Sequence, residues 1–200
     1  MEAMVAVRRS GTSGLGWRVA SYAGAAGFFA LEAVARQPGE ASDLAATPSD
    51  RGTTRLIVAA YGLAAGLSPV LRRLPVGRLP AVSGPAGVAM MAAGLSLRAW
   101  SMQALGRYYS RTLRTSSDQV VVESGPYRVI RHPGYLGSIM VWTGFGVASG
   151  SAAAALGTAA LMSAAYTRRI AAEEDMLTGE LGAAYTDYSR RTKRLIPCVW

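Results

Sequence analysis

Two stretches in the second half of the chain combine residue types that could bind an anion or move a proton. The first runs from Gly125 to Gly137 and reads Gly-Pro-Tyr-Arg-Val-Ile-Arg-His-Pro-Gly-Tyr-Leu-Gly, with the chain's only histidine at His132. Pro133 suits the first turn of a helix because its missing N–H is not needed there. Backbone N–H groups at the start of a helix can hold an anion. We therefore expect a helix to begin here, beside a candidate binding site.

The second stretch reads Arg-Arg-Ile-Ala-Ala-Glu-Glu-Asp-Met-Leu, from Arg168 to Leu177. Arg169 and Glu173 are one helical turn apart, so they share one face of the predicted helix. An ordinary surface ion pair beside a headgroup-anchoring arginine is the alternative, and it is favoured when this stretch is taken alone, because such pairs are common and weak. The presence of the first stretch is what favours a functional interpretation.

Together the two stretches resemble the signature of the isoprenylcysteine carboxyl methyltransferase family and its bacterial relatives. That signature is Gly-Pro-Tyr, then Arg-His-Pro-x-Tyr-x-Gly, then an Arg followed four and five residues later by an acidic pair. All of it is present in order, and the resemblance covers Leu105 to Pro197. Such a long composite pattern is specific. It implies a methyltransferase that uses S-adenosylmethionine in a pocket unlike the nucleotide-binding parallel sheet.

The resemblance also implies roles for individual residues. The family's substrate-binding arginine falls on Arg169, which becomes the candidate catalytic residue. The family's cofactor contacts fall on Gln119, Val120, Val121, Val122, Tyr127, His132, Pro133, Gly134, Tyr135 and Glu173. Gln119 departs from the pattern, because relatives often have histidine there.

The chemistry of the cofactor is consistent with these residue types. S-adenosylmethionine carries a sulfonium cation, a carboxylate, ribose hydroxyls and adenine, so its pocket needs aromatic faces, N–H donors and a carboxylate acceptor. Tyr127 and Tyr135 supply aromatic faces, His132 supplies a donor and Glu173 supplies the acceptor. Tyrosines at a membrane boundary are also common headgroup anchors. For the Tyr185–Tyr188 pair, an anchor and a lid over the site are equally good interpretations.

The elements that must position these residues are apolar helices. Ala-, Gly- and Ser-rich blocks almost free of charge alternate with Arg-rich segments, which is how a membrane protein distributes its residues. The blocks are Val19 to Ala35, Leu56 to Leu71, Ala81 to Leu97, Tyr135 to Ala148 and Ala152 to Tyr166. A soluble Ala-rich bundle is the alternative, but it would show charges at every third or fourth position. We expect an all-α integral membrane bundle of about five transmembrane helices.

The last two blocks are joined by Ser149-Gly150-Ser151 alone and predict a short helical hairpin. Beyond it, Thr167 to Leu181 predicts a polar helix that leaves the membrane and stops at Gly182. We expect one integrated domain with N-terminal membrane helices in residues 1–100 and the catalytic region in residues 101–200, including an active-site loop from Ser101 to Pro133. Gly144-x-Gly146-x-x-x-Gly150 lies in an apolar helix, where close helix packing explains it better than nucleotide binding.

The N-terminal block also resembles a signal peptide, because it ends in Ala33-Val34-Ala35, but Glu32 inside the block argues against cleavage. The net charge of +9 would fit a nucleic-acid protein. Its arginines flank the apolar blocks, however, so we expect membrane lipids as partners and no nucleic acid. The single Cys198 excludes an intrachain disulfide and any Cys-based zinc cluster, and we expect no metal.

The distribution of cations predicts the orientation in the membrane. With five spans, one side receives Arg8, Arg9, Arg18, Arg72, Arg73 and Arg78, and the other receives the remaining fifteen of the twenty-one. The positive-inside rule then puts the catalytic region and the C-terminus in the cytoplasm. The Arg cluster before the first helix taken alone predicts the opposite orientation.

The acceptor follows from composition and from the family. An Ala- and Arg-rich chain with a single lysine is typical of a bacterium, so we expect a lipophilic small molecule with a carboxyl or acidic hydroxyl group, reached from the bacterial plasma membrane. A carboxylate needs no general base, whereas a phenol would need one, with His132 or Glu174 as candidates. Alternatives are a phospholipid amine N-methyltransferase and a non-catalytic scaffold or transporter-like subunit.

Overall fold

The computed structural model describes residues 2–35, 48–74, 77–113 and 118–197, with side chains in the first helix from Gly14 onward. Six α-helices account for most of this part of the chain. They are α1 (Glu2–Val34), α2 (Thr53–Leu71), α3 (Ser83–Leu105), α4 (Pro133–Ala148), α5 (Ala152–Leu181) and α6 (Ala183–Arg191). Short 3₁₀ turns lie at Pro48–Asp50, Gly106–Tyr108 and Gly125–Arg128. The described residues contain no strand, which confirms the all-α class.

Several helix limits differ from those of the apolar blocks. Helix α1 begins at Glu2 instead of Val19, because nothing in the polar N-terminal sequence breaks a helix and Gly or Ser lowers helix propensity only modestly. The boundary expected between residues 100 and 101 falls inside α3. The division of the chain at that point stays a prediction.

Membrane-crossing length is clearest in α2. Among the described helices, α2 alone passes as a candidate span by length and composition, with 19 residues and a mean hydropathy of 1.4. Helix α4 has only 16 residues, too few to cross about 30 Å of hydrocarbon without flanking residues. The expected number of five spans stays a prediction.

Helices α3 and α4 approach each other at two pairs of glycines. A Cβ at Gly94 would lie 2.6 Å from the carbonyl oxygen of Gly137, and a Cβ at Gly137 would lie 2.6 Å from the carbonyl oxygen of Gly94. Gly87 and Gly144, each about two helical turns away, make the same reciprocal contact. The backbones therefore touch with no space for a side chain, as expected of small residues between membrane helices.

Helices α4 and α5 form the predicted hairpin. Gly150 has a φ of 79°, which only glycine adopts without strain. Ser151 caps α5 by accepting a hydrogen bond from the N–H of Ala154 at 3.2 Å. Gly146 packs directly against Thr158 and Ala154 of α5. Close packing thus accounts for Gly144 and Gly146, and the turn accounts for Gly150.

The chain leaves the bundle along α5 and then returns to it. Helix α5 continues without a break to Leu181, and Gly182, with a φ of 55°, ends it as predicted. After α6, the tail runs beside the segment that precedes α4. The N–H of Arg131 donates to the carbonyl of Lys193 at 2.7 Å, and the N–H of His132 donates to the carbonyl of Arg194 at 3.0 Å. The C-terminal tail therefore fixes the start of α4.

Candidate active site

His132 lies at the N-cap of α4, and its side chain is buried. Its Nε2 lies 3.1 Å from Glu174 Oε1, and its Nδ1 lies 3.8 Å from Glu173 Oε2. Its ring stacks parallel to that of Tyr135, with 5.5 Å between centroids. The Tyr135 hydroxyl donates a short hydrogen bond to Glu173. The fold thus brings the two sequence stretches together at one point.

The carboxylate of Glu174 contacts three side chains, those of Arg131, His132 and Arg194. Arg131 donates to it at 2.8 Å and Arg194 at 3.0 Å, in addition to the contact with His132. Burial raises the pKa of Glu174, but the hydrogen bonds from His132 and Arg131 outweigh burial and lower that pKa to about 2. A carboxylate this acidic is a poor proton acceptor near neutral pH. Glu174 therefore serves as an anchor for the start of α4, which leaves His132 as the candidate base for a phenol.

Arg169 is buried, with 2 % of its surface exposed. Its Nη1 lies 2.5 Å from Asp50 Oδ1, and its Nε donates to the Tyr135 hydroxyl at 3.2 Å. The same hydroxyl binds Glu173, so Tyr135 bridges the arginine and the glutamate that we expected to face each other. The alternative of an ordinary surface ion pair is wrong, because Arg169 is paired inside the protein with Asp50, which lies in the turn before α2.

Sequence reasoning missed Asp50. It lies between the apolar blocks that end at Ala35 and begin at Leu56, in a segment of which residues 36–47 are outside the described part. Burial raises the pKa of Asp50, but hydrogen bonds from Thr54 and the charge of Arg169 outweigh it, so the pKa lies below its usual value. An acid and two threonines just before an apolar helix are a recognisable helix-start signal. That signal could have set Asp50 apart from the rest of the loop.

A second buried ion pair borders the site. Arg98 Nε lies 2.5 Å from Glu32 Oε1, and both side chains are largely buried. Arg98 also donates to the carbonyl of Gly134 at 2.9 Å and to Ser138 Oγ at 2.8 Å. The Tyr109 hydroxyl donates to Glu32 at 3.1 Å. The sequence showed Glu32 as the one acid in a span and Arg98 at a span margin. Ionisable groups in such places pair with each other and mark functional regions.

Both arginines of these ion pairs, Arg98 and Arg169, line one cavity of about 510 Å³, a volume typical of small-molecule sites. The expected site residues that line it are Gln119, Val120, Val121, Val122, Tyr127, His132, Gly134, Tyr135, Arg169 and Glu173. Pro133 does not line it but begins α4. Helices α1 and α2 contribute apolar lining residues, including Phe29 and Val58, which are each 49 % exposed. One cavity therefore has both polar and apolar walls.

Tyr185 and Tyr188 close part of the cavity wall, and both are buried. The Tyr188 hydroxyl donates to the carbonyl of Tyr127 at 2.8 Å. The Tyr185 hydroxyl is buried and has no hydrogen-bond partner among the described residues. Burial at these positions favours a role in the cavity wall over anchoring in lipid headgroups.

Comparison with known proteins agrees with this fold. The chain resembles the solved structure of a eukaryotic intramembrane Ras methyltransferase, isoprenylcysteine carboxyl methyltransferase. The TM-score is 0.61 and the sequence identity is 20 %, over 78 % of this chain and 70 % of that chain. The two proteins share a helical fold. No curated protein matches the chain at a significant level.

Residues 87–179 match the model of the isoprenylcysteine carboxyl methyltransferase (ICMT) family. The segment runs from early in α3 almost to the end of α5. It contains His132, Tyr135, Arg169 and Glu173, so the family resemblance inferred from the sequence is confirmed. Asp50 and Glu32 lie outside the segment. The matched segment supports a membrane methyltransferase.

Proposed function

We propose that the protein transfers a methyl group from S-adenosylmethionine to a carboxyl or acidic hydroxyl group of a lipophilic molecule. The observation that carries the proposal is one cavity that joins polar walls rich in charged groups to apolar walls, in which Phe29 and Val58 are half-exposed. Such a cavity suits two ligands of opposite character, a polar cofactor and a lipid-like acceptor.

The residues of the polar walls suit the proposed cofactor. S-adenosylmethionine would supply a methyl group on a positively charged sulfur. Glu173, a carboxylate on the cavity wall, is suited to accept hydrogen bonds from an amine or ribose. The rings of Tyr127 and Tyr135 offer faces to a cation or to adenine. The buried Tyr185 hydroxyl offers one further hydrogen bond. We assign cofactor binding to these groups, with His132 and the segment from Gln119 to Val122.

Arg169 is the proposed acceptor-binding residue. Arg169 lines the cavity and donates to Tyr135, and a planar guanidinium binds a carboxylate through charge-assisted hydrogen bonds. A carboxylate held in this way needs no proton removed before it attacks. The protein then has to align the nucleophile with the methyl group and to exclude water. The proposed setting is a bacterial plasma membrane, with the site on the cytoplasmic side.

The test is methyl transfer from labelled S-adenosylmethionine into an extract of bacterial membrane lipids. We expect label in the lipid phase that mild base releases as methanol, because base cleaves a methyl ester and leaves methylated amines and phenol ethers intact. Base-stable label on a phospholipid amine would identify the alternative N-methyltransferase. Base-stable label on a phenolic lipid would point to an acidic hydroxyl acceptor. Absence of any transfer would favour a non-catalytic scaffold.

Arg169→Lys refines this test. Lysine keeps the charge but lacks the planar fork, so we expect methyl transfer to fall by about tenfold or more, as for the loss of one good charge-assisted hydrogen bond. Affinity for S-adenosylhomocysteine should change little. Arg168→Lys on the exposed face of α5 is the matched control and should behave like the wild type. Loss of cofactor binding in Arg169→Lys alone would move Arg169 into the cofactor pocket.

A further inference from the structure

Asp50 is an acid with no surface exposure, located in the tight turn that precedes α2. Its carboxylate accepts hydrogen bonds from the N–H of Thr54 at 3.1 Å and from the Thr54 hydroxyl at 2.6 Å. The next two residues, Arg51 and Gly52, both have left-handed backbone conformations, with φ of 47° and 76°. A non-glycine residue in that region is strained. The chain thus accepts strain in the turn that holds Asp50 inside.

The partner of Asp50 is the guanidinium of Arg169, which lies 119 residues away in the sequence. Nη1 of Arg169 contacts Asp50, Thr53 and Thr54 at 2.5, 3.0 and 2.9 Å. Nε donates to Tyr135, and Nη2 donates to the carbonyl of Arg111 at 2.8 Å. A guanidinium has five N–H groups. These contacts leave one N–H of Nη2 without a partner in the described part of the chain.

A buried arginine stays in one orientation only while its charge is compensated, because an unpaired buried charge is strongly unfavourable. Asp50 supplies that charge, and it comes from the half of the chain outside the matched segment 87–179. We propose that Asp50 is a positioning residue for acceptor binding, which holds Nη1 of Arg169 so that Nη2 is left to bind the carboxyl group of the acceptor. This inference rests on the proposed role of Arg169.

A neighbouring ion pair provides a matched control. Arg51 Nη1 lies 2.8 Å from Asp175 Oδ2, and both side chains are 62 % exposed. This pair joins the same turn to the same helix as Asp50 and Arg169 do. It lies at the surface, however, and neither Arg51 nor Asp175 lines the cavity. A variant of Arg51 therefore tests whether joining the turn to α5 matters in itself.

The experiment compares Asp50→Asn with Arg51→Ala on detergent-purified protein. The measurements are affinity for S-adenosylhomocysteine and the rate of methyl transfer from labelled S-adenosylmethionine as a function of lipid-extract concentration. For Asp50→Asn we expect the half-saturating extract concentration to rise by about tenfold, because a mispositioned arginine loses a charge-assisted hydrogen bond to the acceptor. Cofactor affinity should stay within about twofold of the wild type. Arg51→Ala should match the wild type in both measurements.

A double-mutant cycle separates positioning from support of the fold. In an Arg169→Lys background, Asp50→Asn should add less than about threefold, since the group that it positions is already lost. Full additivity, a parallel loss of cofactor affinity, or an Asp50→Asn enzyme as active as the wild type would each overturn the proposal. Thr53→Val, which removes one acceptor of Nη1 and keeps the carboxylate, is the milder variant if Asp50→Asn does not fold, and it should shift half-saturation in the same direction. A wild-type protein that binds no S-adenosylhomocysteine would instead refute the proposed function.

Discussion

At the scale of single residues, the Tyr185 hydroxyl is a buried polar group that forms no hydrogen bond with any described residue. A group of this kind lowers stability, so its retention in a cavity wall fits a role in binding. We predict that Tyr185→Phe leaves the Tm unchanged or slightly raised. Affinity for S-adenosylhomocysteine should fall about five- to tenfold, the value of one neutral hydrogen bond. Calorimetric titration and thermal unfolding of the same preparation measure both effects.

Tyr188→Phe is the control for that prediction. The Tyr188 hydroxyl already donates to the carbonyl of Tyr127, so its removal leaves a buried acceptor unpaired and should lower the Tm. Its effect on affinity should be smaller than that of Tyr185→Phe. Equal losses of affinity in both variants, accompanied by equal losses of Tm, would mean that Tyr185 only supports the fold.

The sequence predicted which candidate residues lie together where their chemistry and their local spacing coincide. His132, Tyr135 and Glu173 belong to short patterns, and the structure brings them within hydrogen-bond or ion-pair distance of one another. Asp50 and Glu32 were not predicted as site residues, because their partners are 119 and 66 residues away and no local pattern encodes such pairs. Isolated charges inside or beside apolar blocks were the only available signal.

At the scale of helices, the contact between α3 and α4 holds α4, which carries His132 at its N-cap, close against α3. A methyl group at Gly94 would meet the carbonyl oxygen of Gly137 and the N–H of Val141 at 2.6 and 2.9 Å, and backbone atoms cannot move aside cheaply. We predict that Gly94→Ala lowers the Tm by several degrees, since overpacking of this kind costs about 1–3 kcal/mol. Cofactor affinity should fall with it.

Gly66→Ala is the matched control for the helix contact. A Cβ at Gly66 in α2 meets nothing within 4 Å, and alanine is a better helix former than glycine. This variant should keep or raise the Tm and retain cofactor affinity. A Gly94→Ala protein as stable as the Gly66→Ala protein would refute the close approach of α3 to α4.

Helix limits were predictable where the sequence contains a stop or a turn. Pro133 at the start of α4, Ser149-Gly150-Ser151 in the hairpin and Gly182 after α5 all act as expected. The start of α1 was wrong, because apolarity measures where a helix can lie in a membrane and not where it begins. The extension of α3 to Leu105 was also missed, since the polar residues there continue a helix that carries buried Arg98.

At the scale of the whole molecule, the distribution of arginine predicts that the site faces the cytoplasm. In a Cys198→Ser background, a cysteine placed at exposed Glu180 should react with a membrane-impermeant maleimide only after the cells are permeabilised. A cysteine placed at exposed Arg73, on the other predicted side, should react in intact cells. Labelling of the Glu180→Cys protein in intact cells would reverse the proposed orientation.

The N-terminal half completes the site that the family segment begins. Glu32 of α1 pairs with Arg98, and Asp50 before α2 pairs with Arg169. The sequence showed the N-terminal half only as membrane helices, because its site residues act through partners in the other half. The proposed function therefore depends on the assembled cavity and on its polar walls above all.

Isothermal titration of the detergent-purified protein with S-adenosylhomocysteine tests the central claim most directly, that these walls bind S-adenosylmethionine. We predict one binding site per chain. His132→Ala and Glu173→Ala should each weaken binding by about tenfold or more, because each removes a hydrogen-bonding group proposed to contact the cofactor. The exposed variant Arg168→Lys should bind like the wild type. Absence of binding heat at high ligand concentration, or wild-type affinity in both His132→Ala and Glu173→Ala, would contradict the account.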